Sequence, residues 1–188
     1  MTEDRTFGKM RFSDLPAGDY YRCVFSACDF SGQVLAGGWE ECEFRGCDLS
    51  LARITGAVQS VRFVECRFTG ADLSQMQGFP RRLDFTDCRL DYVSFSARKF
   101  RESRFERCMM RQADFERADV AFSVFERCDL SGAVFHRTNL EGCDLRSSYG
   151  FTIDPSANRL KKAVFSLEGL PGLLAHTGIV VRETDSDS

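Results

Sequence analysis

The sequence predicts an all-β solenoid, a square β-helix closed by a small helical cap at its C-terminal end. Three observations predict it. From Phe85 to Leu145 every fifth residue is apolar, through thirteen consecutive positions. The register of this pattern shifts only after every fourth apolar position. All nine cysteines occupy one slot of the pattern.

A period of five matches neither the 3.6 of a helix nor the 2.0 of a strand, so the chain carries a repeat and not an amphipathic element. Each unit has a large apolar centre and a small residue two positions before it, as in Ala113-Asp114-Phe115 and Cys128-Asp129-Leu130-Ser131-Gly132. The centres begin with Tyr20, Phe25, Phe30 and Leu35, then slip by one to Trp39, Phe44, Leu49 and Ile54. They slip again to Val58, Phe63, Phe68 and Leu73, and a stretch longer by two residues, 74–80, precedes Phe85. An irregularity once per four units means four units per turn, a coil of about 20 residues. Aligned coils give four columns. The first holds Phe25, Phe44, Phe63, Phe85, Phe105, Phe125 and Leu145, as a stacked core ladder would. The fourth places Phe79 or Pro80 between Val58 and Phe100. At the ~4.8 Å strand spacing, about seven coils make a rod of roughly 33 Å.

Cys23, Cys28, Cys42, Cys47, Cys66, Cys88, Cys108, Cys128 and Cys143 all stand two residues before a centre, where other units carry Ala or Ser. They read as small buried hydrophobes in a reduced chain, not as disulfides or a metal site. Arg98 breaks the slot rule before Phe100. Either the face bulges there, with a solvated arginine, or Ala97 takes the place.

In chain order, residues 1–19 read as an irregular cap over the first open edge, with a turn at Pro16 and Gly18. Residues 20–149 are the β-helix. Residues 150–188 form a C-terminal cap and dimerisation segment with an acidic tail. Within it, Asp154-Pro155 opens a short helix to about Lys162. Ser166 caps a second helix from Leu167 to Thr177, which Gly178 stops. Ile179-Val180-Val181 reads as a final strand.

The formal charge of −3 gives no general attraction to nucleic acid. No apolar run approaches the ~20 residues that span a bilayer. The N-terminus lacks the order of a signal peptide, so a cytoplasmic location is expected. No phosphate-binding glycine loop, zinc helix or nucleophile elbow occurs. His136 follows a centre and His176 lies in the C-terminal segment, both as surface residues. The sequence thus predicts no enzyme, no cofactor and no metal.

The repeat resembles the pentapeptide-repeat family, whose motif is A(D/N)LXX, over roughly Cys23 to Arg146. That resemblance implies a right-handed quadrilateral β-helix. Arg22-Cys23-Val24-Phe25-Ser26-Ala27-Cys28-Asp29-Phe30-Ser31-Gly32, Phe165-Ser166-Leu167 and Gly178-Ile179-Val180-Val181 are similar to the gyrase-protecting branch, of the quinolone-resistance, albicidin-immunity and microcin-immunity type. The resemblance implies a dimer joined through the C-terminus. It also implies a rod that imitates DNA and occupies the DNA saddle of DNA gyrase or topoisomerase IV. The dimer residues would be Phe165, Leu167, Leu170, Leu173, Leu174, Ile179, Val180 and Val181.

Charge gives that expectation limited support. A dimeric rod of roughly 66 Å would match about 40 phosphates, whereas two chains carry a formal −6. Residues 112–146 are locally acidic, and Asp114, Glu116, Asp119, Glu126 and Asp129 are the candidate partner-binding acids. Residues 98–111 form a basic belt of Arg98, Lys99, Arg101, Arg104, Arg107 and Arg111. Met76 and Phe79 are candidate contacts on a projecting loop. Met109, Phe122, Val124 and Val134 are apolar residues in outward slots. A structural or protein-interaction scaffold with a different partner is the alternative.

Overall fold

Each five-residue unit forms one side of a square and turns one corner. In the computed structural model, which describes residues 1–78 and 82–182, the centre and the residue two before it point inward. The other three face outward. The turn is made two residues after the centre. Leu51, Tyr92, Gln112 and Phe122 adopt φ of 58°, 61°, 54° and 61° there. Left-handed backbone costs an L-residue about 1–2 kcal/mol, and Gly32, Gly70 and Gly132 avoid that cost at equivalent corners.

The aspartate before the centre has its own task. Its carboxylate accepts the backbone N–H two residues on: Asp29 from Ser31 at 2.9 Å, Asp72 from Ser74 at 2.8 Å, Asp144 from Arg146 at 3.1 Å. These Asx turns satisfy an amide that the corner takes out of the ladder.

On the first face, seven parallel strands stack in chain order: Thr6–Gly8, Val24–Ser26, Glu43–Arg45, Arg62–Val64, Asp84–Thr86, Arg104–Glu106 and Val124–Glu126. Bridges from Val124 to Asp144 and from Asp144 to Val164 continue the stack. The register puts Phe7, Phe25, Phe44, Phe63, Phe85, Phe105 and Phe125 in one file. Phe85 and Phe105 stack at 5.2 Å and 3°, and Phe105 and Phe125 at 4.8 Å and 11°. A second aromatic file, Phe95, Phe115 and Phe135, stacks at 4.8 and 5.1 Å on the third face. The two files meet edge to face, as Phe105 and Phe115 do at 87°. The interior is filled: a void among Trp39, Phe44 and Phe63 measures about 10 Å³.

The nine cysteines are free and buried. They do more than fill space. The Cys47, Cys66 and Cys88 thiols donate to the carbonyls of Phe25, Phe44 and Phe63 one coil below, each at 3.4 Å. Ser148 and Thr138 hydroxyls make the same bond to Phe125 and Phe115 at 2.8 Å. Where the slot holds Cys, Ser or Thr the side chain can make this bond, whereas Ala113 and Ala118 only fill the space. Burial pushes the Cys42 thiol up to about 11 and the Cys143 thiol up to about 12.

Several expectations are corrected. Residues 1–19 are not an irregular cap throughout: Thr2–Glu3 pairs with Tyr20–Tyr21, and Phe7 stacks on Phe25 at 5.2 Å. Thr2, Phe7 and Phe12 are themselves five apart, with a polar residue at the first centre. Only the segment after the 3₁₀ turn Phe12–Asp14 leaves the pattern. The repeat also runs past 149. Arg159 bridges Asn139 and Val164 bridges Asp144, so the expected helix from Asp154 to Lys162 is a further coil. Asp154 makes the usual Asx bond, to Ser156 N–H at 2.8 Å. Helix α1 is shorter than predicted, Leu170–Leu174 with a 3₁₀ turn Ala175–Thr177. Ser166 Oγ accepts the Gly169 N–H at 3.2 Å, but Gly169 and Pro171 delay the helix by three residues. Gly178 ends it at φ 76°. Residues 179–181 form no strand. The acidic tail from 183 onward lies outside the described residues.

Candidate functional site

With the interior closed, any function falls to the four outer faces and the two ends. The five candidate acids do not converge. Asp114 and Glu116 lie on the third face, Asp119 on the fourth, Glu126 on the first and Asp129 on the second, as their bridges show. Three of them hold corners: Asp114, Asp119 and Asp129 accept the N–H groups of Glu116, Ala121 and Ser131 at 2.8, 3.1 and 3.1 Å.

The acids also meet the basic belt. Arg101 reaches Asp119 at 3.2 Å, Arg111 reaches Asp129 at 2.6 Å, and Arg104 pairs with Glu126. Glu116 pairs with Arg117 at 3.6 Å. Arg107 binds Asp87 with two bonds of 2.7 Å. Windows that look oppositely charged along the chain are therefore interleaved one coil apart, and their fields largely cancel. Burial of Asp129 works to raise its carboxyl, but the bonds from Ser131 and Arg111 prevail and hold it below the ordinary range. The Arg107 guanidinium likewise holds the Asp87 carboxyl low.

Arg98 is half-buried, and its Nε donates to the Ser74 carbonyl at 2.6 Å. Ala97 is exposed at a left-handed corner, so it does not take the inward slot. Met76 is not a projecting contact: it is wholly buried. Gln77 bridges Ala57, which brings Gly78 level with Val58. Where the centre has no side chain, the long Met76 fills the core from two positions earlier. Phe79 lies outside the described residues. Met109, Phe122, Val124 and Val134 stand on four different sides and form no common patch. Arg101 lies 5.3 Å from the Phe122 ring.

The C-terminal segment divides in two. Phe165 and Leu173 pack on the core, with the Phe165 ring 5.6 Å from Phe151. Leu174 is half-buried. Leu167, Leu170, Ile179, Val180 and Val181 are exposed, Leu167 at 81% and Val180 at 74%. An apolar surface therefore lies at this end of the rod.

An open groove of about 550 Å³ on the first face is lined by Arg104, Glu126, Arg127, Asp144 and Arg146, whose charges are mixed. His136 and His176 are exposed. Among the described residues no three His, Cys, Asp or Glu side chains are placed to hold a metal ion. None of their helices is long and apolar enough to cross a membrane.

Comparison with known proteins agrees with this architecture. The family described as pentapeptide repeat region matches residues 57–135. No curated protein sequence matches the chain. Among solved structures, a trypsin-treated form of QnrB1, a plasmid-mediated fluoroquinolone resistance protein, is similar at a TM-score of 0.69 and 19% identity. The alignment covers 96% of this chain and 99% of that one. Full-length QnrB1 is similar at a TM-score of 0.58 and 19% identity, over 94% of this chain and 99% of that one. At that identity the likeness concerns the fold. The five-residue unit and the square coil agree with the pentapeptide repeat region that the family match places over residues 57–135.

Proposed function

We propose that the chain is a non-enzymatic, DNA-mimic-type protein that binds a type II topoisomerase, DNA gyrase or topoisomerase IV. It protects that enzyme from a quinolone, an albicidin-like or a microcin-like toxin. The observation that carries this reading is mutual coverage: the fold match to a fluoroquinolone resistance protein takes in 96% of this chain and 99% of that one. Its working form is a cytoplasmic homodimer. Leu167, Leu170, Ile179, Val180 and Val181 supply the apolar contact, and Phe165, Leu173 and Leu174 support it from below. The interleaved charges argue that recognition uses rod shape more than a field of fixed acids. Asp114, Glu116, Asp119 and Glu126 contribute as local acceptors, whereas the buried Asp129 and Met76 act only through the fold.

A supercoiling assay with gyrase and each toxin tests the reading. Protection at micromolar protein supports it; no protection and no gyrase binding reject it. Leu170→Glu is expected to convert a dimer to a monomer in light scattering.

A scaffold with another partner is the second reading, favoured by the same neutralised surface. Capture from lysate of a partner other than a topoisomerase, with no toxin protection, would select it.

A further inference from the structure

On the third face the ladder starts one level late. The lowest rung is Val34–Leu35, paired only upward, with Arg53–Ile54. Below it the chain leaves the 3₁₀ turn Phe12–Asp14 and runs through 15–18 as a loop. One coil higher, the amides of Arg53, Thr55 and Gly56 donate down to the carbonyls of Gln33, Leu35 and Leu35 at 2.8, 3.0 and 2.9 Å. The equivalent amides of Val34, Ala36 and Gly37 have no partner among the described residues, and neither has the Val34 carbonyl.

This edge lies in a groove of about 340 Å³ between the rung and the loop. Its walls are mostly apolar, including Phe12, Leu15, Val34 and Trp39. Proteins guard free sheet edges with charge or proline. The bottom strand of the first face, Thr6–Gly8, is guarded in this way by Arg5 and Lys9. The Val34 edge presents instead a 42%-exposed valine and an exposed alanine.

We propose that this edge is a peptide-binding site. It takes an extended, uncharged segment of a second protein as the missing rung, parallel to Val34–Leu35. The segment's carbonyls accept from the Val34, Ala36 and Gly37 amides, and its next N–H donates to the Val34 carbonyl. A central aliphatic side chain enters the groove. Main-chain bonds provide affinity and the groove provides selectivity, as in strand addition generally. The volume is at the lower end of the ~300–1,000 Å³ of ligand sites, enough for one such side chain and its backbone. The site rests on the fold alone and is independent of the topoisomerase reading.

The probe is the blocked pentapeptide acetyl-Gln-Val-Leu-Ala-Gly-amide, which copies residues 33–37 of the rung itself. Trp39 is the only tryptophan and lines the groove, so its emission reports binding. Titration of the full chain to millimolar peptide is expected to change that emission saturably. It should also slow exchange of the Val34, Ala36 and Gly37 amides at least tenfold. N-methylation of the peptide's central residue, or Val34→Pro in the protein, should abolish both effects. Val34→Pro removes no existing bond and suits an edge strand; should it fail to fold, Val34→Lys should weaken binding at least tenfold. The proposal is overturned by unchanged exchange at saturating peptide, or by binding indifferent to N-methylation. It is overturned equally if the three amides are already protected in the free protein, which would mean a second copy covers them.

Discussion

Arg111 Nε donates to the Asp129 carboxylate at 2.6 Å across eighteen residues of sequence, between adjacent coils of the solenoid. Asp129 is buried while Arg111 is half-exposed, so the acid is the member that needs its partner. Asp129→Ala is expected to cost about 1–2 kcal/mol in chemical denaturation, because it frees both the Arg111 head group and the Ser131 amide. Arg111→Ala should cost less than leaving a charge unpaired in a dry site, because water reaches Asp129 through the exposed arginine's place.

Stability should fall in acid. The carboxyls of Glu43, Asp87, Asp129 and Asp144 all lie below their ordinary range in the fold. For Glu43, Asp87 and Asp144 the largest cause is a bonded arginine, Arg45, Arg107 and Arg146 in turn. For Asp129, bonds from Ser131 and Arg111 overcome its burial. Groups depressed by folding contribute stability that is complete above their unfolded values, near 4. That contribution is lost as pH falls through the lower folded values. Melting temperature is expected to be flat from pH 7 to 5 and to decline below about pH 4. A melting temperature unchanged at pH 3 would show that these pairs contribute nothing.

Two phenylalanines separate core from surface. Phe105 is fully buried between Phe85 and Phe125. Phe105→Ala should cost about 3–5 kcal/mol. Phe122 is nearly half-exposed at a corner. Phe122→Ala should stay within about 1 kcal/mol of the parent. Equal losses at the two sites in urea titrations would contradict the packing described.

Glycines should differ by location in the same way. A Cβ on Gly56 would lie 1.8 Å from the Gly37 carbonyl oxygen, so Gly56→Ala should prevent normal folding of the lower coils. Gly46 has φ 58° and open space around it. Gly46→Ala should cost only about 1 kcal/mol, the ordinary strain of a left-handed corner. Soluble yield and urea midpoints of the two variants check this.

All nine thiols should be silent toward Ellman's reagent in the native protein and all nine should react after denaturation. Fast reaction of any one in the native state would mean that its coil opens.

The centres and the cysteine slot were legible because they recur in one dimension, and Phe25 through Phe125 needed only counting. Other features needed the third dimension. Asp119 and Arg101 look like members of opposite patches until the coil superimposes them at 3.2 Å. Thr2 is too polar to stand out as a centre, which hid the first coil. At the other end Gly150 falls where a centre is due, and the buried Phe151 fills the space instead, which hid the continuation to Phe165. Met76 misled for the same reason: it carries the bulk that Gly78 lacks.

From Phe85 upward the first-face rungs recur at Phe105, Phe125, Leu145 and Phe165, always twenty residues on. The upper rod is therefore a ruler graduated in whole coils. Excision of one graduation, residues 86–105, rejoins like with like and brings the two ends nearer by roughly 4.8 Å. The reach of this molecule can be lengthened or trimmed in such steps without redesigning either terminus.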